Sequence, residues 1–168
     1  MSGRTFLATL ICGLTAIAVQ PLSAAATTPS LAGSWQFTLT PTASTPTVVP
    51  IPGLATFTTD GSVIETDGSE FASIPSSTAA AIKPSTPGHG IWQIGNTPIT
   101  LFVQYISLVL NPDGSLLGRN ITTMLLALNS TGDQFSGTYK TDEVIGSVTT
   151  VVSSGTVSGT LIPHVPVP

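Results

Sequence analysis

Turn signals at short intervals constrain this chain most. Asp60-Gly61, Asp67-Gly68, Asn111-Pro112-Asp113-Gly114 and the run Asn129 to Asp133 punctuate segments rich in Thr, Val, Ser and Gly. Gly takes the positive φ that tight hairpins demand, so Asp-Gly between apolar runs predicts a hairpin. Few segments show helical periodicity. Residues 33–40 (GSWQFTLT) alternate, with Trp35, Phe37 and Leu39 on one face and Ser34, Gln36, Thr38 and Thr40 on the other. Such alternation predicts a half-buried strand.

Further strands are predicted over 54–59, 62–66 and 89–94. The segments 99–110 and 115–128 are largely apolar on both faces, and 134–141, 144–152 and 155–162 complete the set. Residues 41–52, with four prolines, read as a loop, and Asp142-Glu143 as a turn. Prolines at 75, 84 and 87 exclude a central strand from 69–88. That stretch reads as a lid or binding loop, with two turns of helix over Ser77–Lys83. Short turns between sequence neighbours give an antiparallel meander, and closing it removes the exposed edges. The fold class expected is all-β: an eight- or nine-stranded up-and-down barrel behind an N-terminal signal helix.

Residues 1–26 read as a secretory signal. Arg4 precedes an apolar run of about 14 residues, short of the ~20 that cross a bilayer, and Leu22 to Ala26 offers small residues for cleavage. The barrel domain is expected over 27–162 and a Pro-rich tail, with His164, over 163–168. The only cysteine, Cys12, lies in the leader, so the mature domain has no thiol and no disulfide. The expected destination is secreted or periplasmic. Beyond the leader the basic residues are Lys83, Arg119 and Lys140, against eight acidic ones. Nucleic-acid binding and polybasic membrane attachment both need many more cations.

Gly33-Ser34-Trp35, opening the first strand, resembles the Gly-x-Trp motif of lipocalins and other calycins. The order GSW, ATFTTDGSVIET, TPGHGIWQ and an apolar hairpin turning at PDG resembles small exported lipocalin-like proteins of unassigned activity. That resemblance implies a barrel whose narrow end is closed by Trp35. The Thr-Asp-Tyr motif of lipocalins, and a basic residue near the last strand, have no counterpart here.

Chemistry-bearing residues are few. His89 follows Pro87-Gly88 and shares a face with Ile91 and Gln93. It either helps start a strand or stands at the barrel rim as an acid–base group. Arg119 lies in an apolar strand and either points to solvent or pairs with a carboxylate inside. Parity sends one of Gln104 and Tyr105 inward. Glu65, in phase with Val63, is either inward or on a solvated edge. Asp60, Asp67, Asp113 and Asp133 read as turn caps. No metal-ligand spacing, nucleophile elbow or phosphate loop appears, and no cofactor is expected. Two sequons, Asn120-Ile121-Thr122 and Asn129-Ser130-Thr131, are present.

Three functions remain open. The first is a binding barrel for a small apolar molecule, lined by Trp35, Trp92, Phe102, Tyr105, Met124 and Tyr139. The second is a cofactor-free cyclase or isomerase in a barrel resembling allene oxide cyclases or dirigent proteins, with His89, Glu65, Tyr105 and Arg119 as its polar set. The third is a structural or surface protein, for which the Thr/Ser/Gly run 148–160 speaks. An enzyme needs two of its polar set in one pocket; a carrier can be lined by carbon alone.

Overall fold

The computed structural model describes residues 30–42, 49–68, 84–97 and 99–163. The predicted leader, the Ser77–Lys83 helix and the His164 tail lie outside those residues. The described chain forms eight strands: β1 Gly33–Pro41, β2 Ile51–Phe57, β3 Ser62–Asp67, β4 Gly88–Ile94, β5 Thr100–Leu110, β6 Leu116–Leu128, β7 Gln134–Ile145 and β8 Val148–Leu161. Each pairs antiparallel with its sequence neighbour, and β1 pairs with β8 to close the barrel. The expected all-β meander barrel is the architecture observed.

The count is eight because β8 is continuous where two strands were expected. The expected break at 153–154 is not there: Ser153 and Ser154 pair with Thr141 and Lys140 of β7, and Gly155 follows inside β8 opposite Pro41 and Tyr139. A Cβ at Gly155 would lie 2.1 Å from Thr40 O, so this glycine permits close backbone approach rather than a turn. The hairpin lies earlier, at Gly146, whose φ is +59°. Asp142 and Glu143 are therefore strand residues of β7, paired with Val151 and Thr150, not a turn. Likewise β2 begins at Ile51, inside the expected Pro-rich loop; Pro52 is its second residue, where an edge-like start tolerates proline.

Both ends of β1 show how the barrel is filled. Trp35 is fully buried, donates its indole N–H to Leu31 O at 2.8 Å, and lies 5.1 Å from the Phe135 ring. Leu31, Leu101, Leu126, Leu128 and Val157 pack in the same core. Inward aromatics are matched by glycines on neighbouring strands. Phe37 pairs with Gly53, and Phe135 with Gly159. A Cβ at either glycine would come within 2.3 Å of the ring facing it. These two rings fit because the residue beside each has no side chain, whereas Trp35 lies between Ala55 and Leu161.

Candidate polar cavity in the barrel

The inward faces change character along the barrel. At the end where β1 begins, the inward residues are Trp35, Val63, Leu101, Val103, Leu126, Leu128 and Phe135, all buried. Towards the other end, the same strands turn polar in phase. On β3, Val63 gives way to Glu65; on β5, Val103 gives way to Tyr105 and Ser107. On β6, Met124 is followed inward by Thr122 and Asn120, and β7 adds Thr141 beyond Tyr139. The interior is thus apolar at one end and carries a hydrogen-bonding wall from β3, β5, β6 and β7 towards the other, with Phe37, Leu39 and Val109 still apolar there.

A cavity of about 170 Å³ occupies the polar half. Glu65, Tyr105, Ser107, Asn120, Thr122 and Ser153 are among its lining residues. Glu65 and Tyr105 are each 4 % exposed. They come together over Gly88 of the intervening strand β4. A Cβ on Gly88 would lie 2.5 Å from Tyr105 Cδ2 and 2.8 Å from Glu65 Oε2. Glu65 pairs with Gly88 and Ala55, both buried and small, which leaves the carboxylate room to lie inside.

Burial above all, then the nearby Glu65 and Asp67 carboxylates, pushes the Tyr105 phenol well above its ordinary value, against a hydrogen bond with Thr122. Tyr105 therefore stays a neutral donor at any physiological pH. Thr122 and Thr141 hydroxyls pair across β6 and β7 at 2.9 Å, and Tyr139 Oη meets Ser153 Oγ at 2.7 Å. Burial raises the Tyr139 phenol too, with the Ser153 hydrogen bond opposing. The buried Asn120 Oδ1 has no hydrogen-bond partner among the described residues. Such an orphan acceptor costs free energy unless a hydrogen-bond donor reaches it.

The sequence-predicted residues separate cleanly. Glu65 and Tyr105 share the cavity. His89 faces outward, paired with Ile64 and Ile106, and is exposed; Arg119 is exposed on the outer face beside Leu108 and Val144. Among the predicted ligand contacts, Trp35 and Met124 are packed in the core, and Tyr139 borders the polar half. Trp92 is half-buried, its indole N–H donated to Thr58 O at 2.9 Å. Phe102 lies on the outer face against Leu125. Tyr105 alone of these six lines the cavity.

Asp67, read as a turn cap, also lines the cavity. Asn120, Thr122, Ser107 and Ser153 were not anticipated as a set. Their signal is parity: Asn120 and Thr122 fall in phase with Met124, Leu126 and Leu128 on β6. The same placement puts the Asn120 sequon inside the barrel. Asn129 is exposed, and its side chain holds its own turn through Thr131 and Asp133, each at 2.8 Å.

Among the described residues, no group of three His, Cys, Asp or Glu side chains is placed to hold a metal ion. Compared with known protein families, curated proteins and solved structures, the chain finds no match. The class is defined by the fold itself: a small closed antiparallel meander barrel, compatible with a calycin-like architecture.

Proposed function

We propose that this chain is an exported barrel that binds one small molecule through hydrogen bonds in the polar half of its interior. The observation that carries this reading is the convergence of Glu65, Tyr105 and Asn120, from three strands, on one cavity. A cavity of about 150 Å³ accommodates benzene, so this one suits a molecule the size of a single ring. The sequence pattern favours an apolar cargo. The cavity wall favours a ligand with a small body that both accepts from Tyr105 and meets the acceptors Glu65 and Asn120. Nuclear magnetic resonance titration with ring-sized alcohols, ketones and amides tests this. The expected result is saturable shifts confined to Tyr105, Ser107, Asn120 and Thr122. No saturable shift there, with any probe, contradicts it.

A second reading is favoured by Glu65 lying beside Tyr105, since two of the anticipated polar set share one pocket. A cofactor-free isomerase would use the Glu65 carboxylate to take a proton and return it to another atom of the same molecule. Tyr105 would donate to the oxygen that gains charge in between. No co-reactant is consumed. Turnover of a bound ring-sized ketone by the wild type, abolished in Glu65→Gln while binding persists, supports the isomerase; binding with no turnover in the wild type supports the carrier.

A further inference from the structure

The polar cavity shares part of its wall with an apolar groove on the outside of the barrel. The groove, about 550 Å³, is lined by Leu54 and Thr56 of β2, Ile64 and Thr66 of β3, and Pro87. Leu54 and Ile64 are about half exposed. Glu65, Ser85 and Thr86 line the groove and the cavity alike. Those three residues are the partition between a polar interior and an apolar exterior.

The partition has a seam. β3 and β4 pair from Ser62 to Glu65, and the last rung joins Glu65 to Gly88. Beyond it β3 runs on to Asp67, whereas the segment bordering it, Ser85 to Pro87, is tied to β5. Thr86 N–H donates to Leu108 O at 2.9 Å, Leu108 N–H to Thr86 Oγ1 at 3.0 Å, and Leu110 N–H to Pro84 O at 2.8 Å. Ser85 bridges to Val109. Pro87 has no N–H to give to β3. Among the described residues no backbone hydrogen bond joins Ser85–Pro87 to β3. The wall is therefore closed here by side chains rather than by a ladder, and such a place opens at lower cost than a paired strand.

We infer, building on the cavity as a ligand site, that the ring-sized ligand carries an apolar chain. The polar ring lies in the cavity, and the chain passes between β3 and Ser85–Thr86 into the groove. Size favours this arrangement. The cavity, at about 170 Å³, holds a single ring, below the about 300–1,000 Å³ of most small-molecule sites, and the groove brings the site into that range. Polarity favours it too. Tyr105, Asn120 and Thr122 offer hydrogen bonds inside the seam, whereas Leu54, Ile64 and Pro87 offer carbon outside it. A wholly apolar molecule would leave Asn120 Oδ1 without a donor, and a wholly polar one would leave the groove against water. An amphiphile satisfies both surfaces, and the seam lies where its two parts join.

The test is nuclear magnetic resonance titration of the protein with phenol, 4-ethylphenol, 4-butylphenol and 4-hexylphenol, each kept below the concentration at which it aggregates. A phenol hydroxyl both donates and accepts, so the polar end is the same throughout. The expected result is binding that tightens about twofold to fourfold with each methylene. Tyr105 and Asn120 should shift with every probe, and Leu54, Ile64 and Thr66 only with the longer chains. Ile64→Ser should flatten the dependence on chain length, whereas Val148→Ser, at an exposed valine outside the groove, should keep it. Affinity independent of chain length, with Tyr105 and Asn120 still shifting, overturns the inference and leaves the cavity as a ligand site. Shifts at Leu54 and Ile64 with none at Tyr105 and Asn120 overturn it in favour of adsorption on the groove alone. No saturable shift with any of the four removes the cavity reading itself, and the inference with it.

Discussion

Glu65 and Tyr105 meet across the bare backbone of Gly88, on strands that are not themselves paired. A methyl group at Gly88 would lie 2.5 Å from the tyrosine ring and 2.8 Å from the carboxylate. Gly88→Ala should therefore cost about 1–3 kcal/mol of stability, the usual penalty for overpacking. It should also reduce ligand affinity by spreading the pair. Urea midpoints and the same resonance titration, run on one preparation, check both effects.

Tyr105→Phe removes the donor and keeps the ring. The Leu101–Tyr105 side of the core stays packed, and a loss of about 1 kcal/mol is expected from the missing hydrogen bond with Thr122. Alkaline behaviour should change too. The folded phenol is raised, so the unfolded chain releases its proton first, near pH 10, while the fold still holds it. Stability is then full below pH 10 and falls as pH rises above it towards the folded value. Urea midpoints between pH 9 and 11 should decline in the wild type and decline less in Tyr105→Phe. Tyr139, also raised, supplies the remaining slope.

Asn120→Leu replaces a buried acceptor without a described partner by an apolar side chain of similar size. The empty barrel should gain stability while binding is lost, since a polar atom kept at a site for its ligand is a cost to the apo fold. A raised melting temperature with unchanged binding would show that Asn120 serves neither.

Trp35→Ala should destabilise by about 3–5 kcal/mol, because the indole is fully buried against Phe135 and tied to Leu31 O. The polar cavity lies in the other half, so Trp35→Phe should retain ligand binding at a temperature where it remains folded. Thermal melts paired with the titration separate the two halves of the interior.

Much of this architecture was legible in the residues. Alternation over 33–40 marked β1, and the Asp-Gly turns at 60–61 and 113–114 fall where hairpins form. What alternation cannot say is which of two faces is inner. Glu65 is ambiguous for that reason: parity ties it to Val63, but a lone carboxylate fits either side of a short strand. Its partners decide, because Ala55 and Gly88 are the small residues opposite it and both face inward. The Ser153-Ser154 pair reads as a gap between strands because small polar residues suit a turn and a solvated strand alike; only the pairing with Thr141 and Lys140 shows that β8 runs through it. The sequence marks Asn120 only as part of a sequon; its place in the barrel follows from its pairing with Ser107 of β5 and Glu143 of β7.

The central claim is that the cavity beside Glu65, Tyr105 and Asn120 holds a small molecule. Native mass spectrometry of the protein purified from its own source without denaturation tests it most directly. The account predicts one ring-sized molecule per chain, released on organic extraction and missing from Tyr105→Phe prepared alongside. A bare polypeptide mass for the wild type, together with failure of the extracted source material to restore any adduct, would contradict it.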